Sequence, residues 1–182
     1  MTELHGYEIE DTPEQACQRC TRCGIVSHPW ILGDPLDISV MIIGQNPGFP
    51  DKGAPNPHKA FFGHSFTCEL FMQIVSGMSG IYLTNVVKCA AIKDCERGQI
   101  RKCASFFLHY ELAFFNPKVV LCVGNVAEQA VIDATGKEWK DRIVKVTHPG
   151  YIKRMNWSED EIAQYADDVY QIISSSTRCN YD

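Results

Sequence analysis

Residues 39–48 read Ser39-Val40-Met41-Ile42-Ile43-Gly44-Gln45-Asn46-Pro47-Gly48. The first half of this stretch is apolar at successive positions, which is typical of a parallel strand buried on both faces. The strand stops at Gly44, and a short polar turn follows it. In open α/β sheets, ligands bind in the loops that follow the carboxyl ends of the strands. The stretch therefore predicts a buried strand and one loop of a binding site.

The same succession of strand and helix recurs along the chain. Three further strand-like runs are Ile81 to Val87, Lys118 to Val123 and Arg142 to Thr147. Apolar residues at helical spacing separate the strands, at about 65 to 78, 100 to 115 and 125 to 135. This βαβ order predicts an α/β fold, a three-layer α/β/α sandwich with a four-stranded, mainly parallel central sheet.

The length and composition indicate one domain. The chain has 182 residues, of which 45% are hydrophobic and 21% charged, and we expect a single domain over residues 1–182. Residues 1–37 show no clear periodicity and form a cysteine-containing lead-in. Residues 158–176 are predicted to form a C-terminal helix, because Ser158 and Glu161 have the spacing of a capping box and one face is apolar.

Composition and charge exclude some classes of protein. No apolar run reaches the ~20 residues of a membrane helix, and the acidic start of the chain is unlike a signal peptide. We therefore expect a cytoplasmic protein with no membrane partner. The formal charge of −5 is unusual for a protein that binds nucleic acid, but such binding depends on the local face that meets the phosphates.

Nine cysteines are many for a chain of this length. In a protein without an export signal they favour thiolates kept reduced for a metal or cluster. Cys20 and Cys23 form a C-x-x-C motif, and Cys89 and Cys103 are separated by 13 residues. Four such thiolates suit an iron-sulfur cluster or tetrahedral zinc, and the residues alone do not choose between the two.

The remaining cysteines leave the ligand set open. Cys17 forms an overlapping C-x-x-C with the first motif, and Cys95 lies inside the 13-residue loop, so either could replace one of the four. Cys68 and Cys122 fall in apolar helix and strand patterns, where a small buried residue is predicted. Cys179 is expected to be a free thiol near the end of the chain.

Five motifs follow one another in a distinctive order. They are Gly44-Gln45-Asn46-Pro47-Gly48, Ala60-Phe61-Phe62-Gly63, YLTNVVKC at 82–89, Asn116-Pro117-Lys118-Val119-Val120 and Thr147-His148-Pro149. Their layout, from about residue 17 to 155, resembles that of the uracil-DNA glycosylase superfamily.

Within that superfamily, TNVVKC, the upstream Cys20-Thr21-Arg22-Cys23 and the later Cys103 resemble the iron-sulfur branch, often called family 4. This resemblance implies a structural [4Fe–4S] cluster held by Cys20, Cys23, Cys89 and Cys103. Two features differ from the branch. Gln45-Asn46 stands where the branch has Glu-Ala or Glu-Gly, and the loop between the last two cysteines is shorter. The turn GQNPG is similar both to GQDPY of the widespread uracil enzymes and to GINPG of the mismatch-specific ones.

The resemblance implies a monofunctional DNA repair enzyme. Such an enzyme flips uracil, or a 5-substituted uracil, out of DNA and hydrolyses its N-glycosidic bond, which leaves an abasic site. His148 would donate a hydrogen bond to O2 of the base as negative charge develops, and Asn46 would orient the attacking water. Because an amide cannot act as a base, we expect slower cleavage than with Asp there, unless another acid such as Asp51 reaches the site.

Five further residues are expected to bind the base. Phe61 would stack on it, and Asn85 would present a donor and an acceptor that cytosine does not match. Gly44 and Gln45 would meet the base edge, Gln45 mainly through its backbone, and Gly48 would leave space beside C5. The alternatives are core packing for Phe61, a buried strand cap for Asn85 and a plain turn for Gln45.

Residues 150–154 combine apolar and basic side chains. Tyr151 and Ile152 would fill the vacated base stack, while Lys153 and Arg154 contact flanking phosphates. A short solvated basic loop is the alternative. Pro47 is also expected to face DNA. We expect a monomer that binds uracil-containing DNA and is associated with the nucleoid when bound.

Two other hypotheses belong to different classes of protein. One is a catalytically weak nucleic-acid-binding module that keeps the fold and the cluster. The other is a zinc-binding structural protein in which the HP and NPG turns are coincidental. Cleavage of a uracil-containing oligonucleotide would distinguish an enzyme from the first of these, and the absorption of an iron-sulfur chromophore at ~400 nm would exclude the second.

Overall fold

The centre of the fold is a twisted five-stranded sheet. The computed structural model describes residues 25–26, 28–47, 60–61, 65–90 and 96–177. In chain order, the strands of the described part are β1 (Ile25–Val26), β2 (Trp30–Leu32), β3 (Val40–Gly44), β4 (Ile81–Asn85), β5 (Cys89–Ala90), β6 (Val119–Val123) and β7 (Ile143–Val146). The central sheet has the order β2-β4-β3-β6-β7, while β1 and β5 form a separate antiparallel pair.

Helices cover both faces of the central sheet. They are α1 (Phe66–Ile74), α2 (Arg97–Cys103), a π-helical segment (Ala104–Leu108), α3 (His109–Phe115), α4 (Asn125–Thr135), a 3-10 helix (Gly136–Arg142), α5 (Pro149–Arg154) and α6 (Glu159–Thr177). Because α2, the π-helical segment and α3 follow without interruption, residues 97–115 form one continuous helical run.

Each face of the sheet buries its own apolar cluster. On one face, Ile42, Leu83 and Leu121 pack with residues of α1, α5 and α6. On the other, Met41 and Tyr82 belong to a second cluster with residues of the π-helical segment, α3 and α4. A parallel strand covered by helices on both faces has no polar side to present to solvent, which explains the unbroken apolar run of β3.

The register of the parallel strands aligns their carboxyl ends. Gly44 of β3 pairs with Asn85 of β4, and Ile43 pairs with Cys122 of β6. Val123 in turn pairs with Val146 of β7. The loops that leave these four strands therefore begin at the same edge of the sheet.

The predicted fold class is confirmed as a mainly parallel α/β sheet between helices, but the predicted number of four strands is wrong. The fifth strand, β2, pairs antiparallel with β4 at the edge of the sheet, and it lies in the lead-in, for which no strand was predicted. The loop expected at residues 150–154 is also helical, as part of α5.

The C-terminal helix is confirmed, since α6 spans 159–177 where 158–176 was predicted. The predicted capping box is present at its start. The backbone N–H of Glu161 donates to Ser158 Oγ at 3.3 Å, and the Glu161 carboxylate accepts from the backbone N–H of Ser158 at 2.7 Å. None of the helices in the described ranges combines the length and the apolar character that a bilayer crossing requires.

The cost of core truncation can be measured on β6. Leu121 is 0% exposed, and Leu121→Ala should lower the free energy of unfolding by roughly 2–5 kcal/mol because it leaves a cavity. The matched control is Leu36→Ala at a side chain that is 90% exposed, where we expect a change within about 0.5 kcal/mol. Chemical denaturation of both variants tests this, and equal losses would contradict the described packing.

Candidate active site

A cavity of about 880 Å³ opens at the carboxyl edge of the sheet. Nine of the residues predicted from sequence to form a site line it, namely Gly44, Gln45, Asn46, Pro47, Phe61, Asn85, His148, Tyr151 and Arg154. Several other residues named in the sequence predictions lie outside the described residues, namely Cys17, Cys20, Cys23, Gly48, Asp51, Cys95 and Cys179.

Gly44 allows the two sides of the cavity to approach each other. A Cβ atom built on Gly44 would lie 2.5 Å from Asn85 Oδ1 and 3.0 Å from Phe61 Cζ, so a side chain at position 44 would displace Asn85 or Phe61. The turn after Gly44 is tied to the chain after β4, because the backbone N–H groups of Val86 and Val87 donate to the carbonyls of Gly44 and Gln45 at 2.8 and 2.9 Å. Glycine is therefore required by close packing at this strand end.

Phe61 forms one wall of the cavity and also belongs to the core. Its backbone has a φ of 56°, an unusual and costly conformation for an aromatic residue. The ring packs edge-on against Phe71, with centroids 5.3 Å apart. Phe61 can therefore pack in the core and still present its ring to a ligand in the cavity, because core contacts hold the ring in place there.

Asn85 is the buried polar residue of the cavity. It is 5% exposed, and its side-chain amide makes no hydrogen bond with any of the described residues. A buried amide without a partner is costly. Because the amide lies at a cavity, a bound ligand with one acceptor and one donor would satisfy it.

Asn46 lies in the turn after β3, beside the cavity. Its Nδ2 donates to the carbonyl of Pro47 at 2.9 Å, which fixes the orientation of the amide. The Oδ1 atom is then the group left to accept a hydrogen bond from a ligand or a water molecule.

His148 begins α5 as its N-cap. Its Nδ1 accepts a hydrogen bond from the backbone N–H of Gly150 at 3.0 Å, so in the neutral ring the proton resides on Nε2. Burial and, to a smaller extent, the nearby Arg154 guanidinium lower the pKa of His148 below its ordinary value of 6.5. At neutral pH the ring is therefore an uncharged donor at the cavity.

Two neighbours keep the His148 segment in place. Tyr165 of α6 donates its hydroxyl to the carbonyl of Thr147 at 2.7 Å. On the other side, a Cβ on Gly124 would lie 3.2 Å from that of His148, and Gly124 has a φ of 89° that favours glycine. The segment that carries the imidazole is thus held by Gly124, which follows β6, and by Tyr165 of α6.

The four residues at 151–154 that were predicted to contact DNA lie in different environments. Tyr151 and Arg154 line the cavity, with the guanidinium carbon 5.9 Å from the centre of the Tyr151 ring. Lys153 is exposed but is not among the lining residues. The prediction that Ile152 fills the base stack is wrong, because its side chain is 0% exposed within the core cluster that includes Ile173.

Five polar or thiol residues that were not predicted to form the site also line the cavity, namely Ser65, Thr67, Cys68, Lys145 and Thr147. Asn125 lines the cavity as well, and the Gly124-Asn125 turn after β6 is one of the strand ends at which the sequence predicts ligand binding. Cys68 was expected to be buried, but it is half-buried at the cavity, and burial raises the pKa of its thiol. Cys122 is a core residue as predicted, and burial raises the pKa of its thiol to about 12.

Two of the four predicted cluster ligands can be placed. Cys89 is buried, and Cys103 Sγ accepts a hydrogen bond at 3.4 Å from the backbone N–H of Lys88, the residue before Cys89. Among the described residues there is no disulfide and no group of three or more His, Cys, Asp or Glu able to hold a metal ion.

The fold and the cavity define an α/β protein with a ligand site at the carboxyl ends of parallel strands. Residues 31–169 match the family model of the uracil DNA glycosylase superfamily, and the chain belongs to this superfamily. No curated protein matches the sequence significantly. Membership implies a glycosylase-type hydrolase of DNA repair.

The pKa of His148 provides a test of the site electrostatics. Removing the positive neighbour with Arg154→Gln should raise the pKa of His148 towards 6.5, whereas Lys153→Gln should leave it unchanged. NMR titration of the imidazole protons measures both, and equal pKa values in wild type and Arg154→Gln would contradict the proposed contact. Because folding depresses this pKa, the associated stability is complete above pH 6.5 and is lost as the pH falls through the folded-state value.

Proposed function

We propose that the chain is a monofunctional uracil-DNA glycosylase of the iron-sulfur branch. It would flip uracil, or a 5-substituted uracil, into the cavity, hydrolyse the N-glycosidic bond and leave an abasic site. The observation that carries this proposal is that Asn46, Phe61, Asn85 and His148 all line one cavity at the strand ends.

The base would be recognised by Asn85 and Phe61. Uracil presents a donor at N3 and an acceptor at O4, and one side-chain amide can satisfy both. Cytosine reverses this pattern, so its binding would leave the buried amide unsatisfied. Stacking on the Phe61 ring contributes to affinity for any base and is worth ~1 to 3 kcal/mol.

The leaving group would be stabilised by His148. Cleavage of the N-glycosidic bond leaves negative charge on the base, part of it on O2. The neutral His148 ring has Nδ1 occupied by the Gly150 N–H, which leaves the Nε2–H to donate to O2. Since that donor is already oriented before the reaction, little reorganisation is needed as the charge develops.

The attacking water would be oriented by Asn46. Its Nδ2 is held by the Pro47 carbonyl, and Oδ1 can accept a hydrogen bond from water on the sugar side of the base. An amide cannot take the proton, so Asn46 supplies orientation without general-base catalysis.

DNA would be held by the exposed margin of the cavity. Tyr151, Arg154 and the neighbouring Lys153 supply an aromatic ring and two cations from α5, and Pro47 lies in the turn beside Asn46. Positive side chains on one face can bind phosphates although the chain is acidic overall. We propose that a monomer binds DNA in this way, in the cytoplasm and at the nucleoid.

A [4Fe–4S] cluster would be held by Cys20, Cys23, Cys89 and Cys103. One observation that supports this proposal is the hydrogen bond from the Lys88 N–H to Cys103 Sγ, which brings Cys103 close to the residue before Cys89. Strand pairing places Val26 beside Cys89, and Val26 is three residues after Cys23 in the sequence. When bound, the cluster would serve a structural role, since hydrolysis transfers no electron. Cys17 and Cys95 are the alternative ligands.

Cleavage of defined oligonucleotides tests the proposed function. Substrates with uracil, U·G, hydroxymethyluracil, hypoxanthine or T·G should reveal alkali-labile abasic sites with uracil or a 5-substituted uracil. His148→Ala should slow single-turnover cleavage roughly 100-fold or more with little change in DNA affinity. The exposed His109→Ala is the control and should cleave at the wild-type rate. Binding without cleavage of any substrate would favour the catalytically weak module instead.

Variants of Asn46 test whether this side chain orients the attacking water. Asn46→Ala should lower the cleavage rate by roughly 10- to 1000-fold, whereas Asn46→Asp should raise it because a carboxylate can also take the proton. The exposed Asn156→Asp is the matched control. Full activity of Asn46→Ala in single-turnover assays would show that the water is oriented elsewhere.

The cysteine variants test the cluster. Cys89→Ala and Cys103→Ala should each lose iron and a large part of the protein's stability, because a missing thiolate opens the site. Cys68→Ala should keep its iron. Iron and zinc content per chain and absorption near ~400 nm measure this. If Cys89→Ala retained the iron content of the wild type, Cys89 would not be a ligand.

A further inference from the structure

Four polar side chains form a buried network beneath the carboxyl end of β4. Lys88 Nζ donates to Thr84 Oγ1 at 2.6 Å and to Glu111 Oε2 at 2.5 Å. Tyr82 donates its hydroxyl to Glu111 Oε1 at 2.9 Å, and the Thr84 hydroxyl lies 3.3 Å from both carboxylate oxygens. The side chains of Lys88 and Glu111 are 7% and 15% exposed, so most of this ion pair is shielded from solvent.

The network lies on the side of β4 opposite to the cavity. Side chains alternate between the two faces of a strand, and Tyr82 and Leu83 belong to the core clusters of opposite faces. Thr84 therefore shares the face of Tyr82, and Asn85 shares the face of Leu83. Since the Asn85 amide has no hydrogen-bond partner among the described residues, its position depends on the backbone beside Thr84 and on the close packing at Gly44.

The π-helical segment turns two residues of the helical run towards Lys88. Cys103 and Glu111 are eight positions apart, and in a regular α-helix they would differ in direction by roughly 80°. One π-type insertion, marked by the His109 N–H bonding to the Ala104 carbonyl, reduces the difference to about 20°. Both residues then meet Lys88, Cys103 at the backbone N–H and Glu111 at Nζ.

Stability alone is a poor explanation for this pair. Burying two charges costs desolvation that their attraction roughly offsets, and apolar residues of similar volume often stabilise a protein as well. Apolar residues, however, make no directional hydrogen bonds that could fix the orientation of neighbouring groups. The carboxylate accepts hydrogen bonds from β4 and from Lys88 together, and so fixes the strand end relative to the helical run.

We propose that Lys88 and Glu111 are positioning residues that hold the Asn85 amide in the orientation needed for base recognition. They do so by joining the end of β4 to the helical run that carries Cys103. The inference rests on the proposed function in that Asn85 is taken to contact the base.

Two variants test the pair. Glu111→Gln leaves Lys88 buried without its partner charge. Lys88→Met/Glu111→Leu removes both charges and keeps the volume, so it should retain a melting temperature near that of the wild type. We expect both to cleave uracil-containing DNA roughly 10- to 100-fold more slowly, as for a small misplacement of a binding group. The control is Glu161→Gln, which removes a hydrogen-bonded carboxylate from the start of α6, and it should cleave at the wild-type rate.

A double-mutant cycle separates positioning from general damage. If Glu111 acts through Asn85, Glu111→Gln should have little further effect in an Asn85→Ala background. Equal losses in both backgrounds would overturn the proposal, because a general structural effect or a lost cluster would slow either protein. Cleavage at the wild-type rate by Lys88→Met/Glu111→Leu would also overturn it.

A second readout does not depend on activity. The side-chain amide resonances of Asn85 in ¹⁵N NMR spectra should shift or broaden in both Glu111 variants and stay unchanged in Glu161→Gln. Unchanged Asn85 resonances in the Glu111 variants would overturn the proposal. If the wild type cleaves no substrate, the proposed function fails, and the NMR comparison still decides whether the pair positions Asn85.

Discussion

The parallel pairing of β3 with β4 and β6 is the constraint on which the candidate site depends. It places Gly44 beside Asn85, and the absence of a side chain at Gly44 lets Asn85 and Phe61 come together. A register shift of one residue would turn every side chain of a strand to the opposite face. The two faces of β3 are buried against different apolar clusters. The packing of the core therefore requires the same strand register that assembles the cavity.

The central strands were predictable because they are apolar at successive positions. The expected ends of β3 and β6 differ from those in the structure by no more than one residue. The edge strand β2 was missed because it has three residues and lies close to a proline and a glycine. Helix α5 was missed for a related reason. Its first residues are Pro149 and Gly150, which usually indicate a turn, although proline at the first position is favourable in a helix.

The candidate site was predictable where it follows strand ends, as at Gly44, Asn85 and His148. Sequence reasoning failed where the direction of a side chain depends on tertiary packing. Tyr151 and Ile152 are adjacent in the sequence, but successive side chains of a helix point about 100° apart. In α5, Ile152 therefore packs in the core while Tyr151 lines the cavity. Likewise, no local pattern pairs Lys88 with Glu111, because the contact depends on the π-helical segment and on long-range packing.

Arg154 connects the exposed margin of the cavity to the half-buried imidazole of His148. In the free protein it lowers the pKa of His148, but burial is the larger cause. A phosphate bound to Arg154 would partly neutralise that cation and weaken its effect on the imidazole. The same DNA would cover the cavity and increase the desolvation of His148, which lowers the pKa further. The two changes oppose each other, and since burial dominates already, His148 should stay a neutral donor with and without DNA. The chemistry at the base would then depend on local burial, whereas the formal charge of −5 acts mainly on long-range association and is screened by salt.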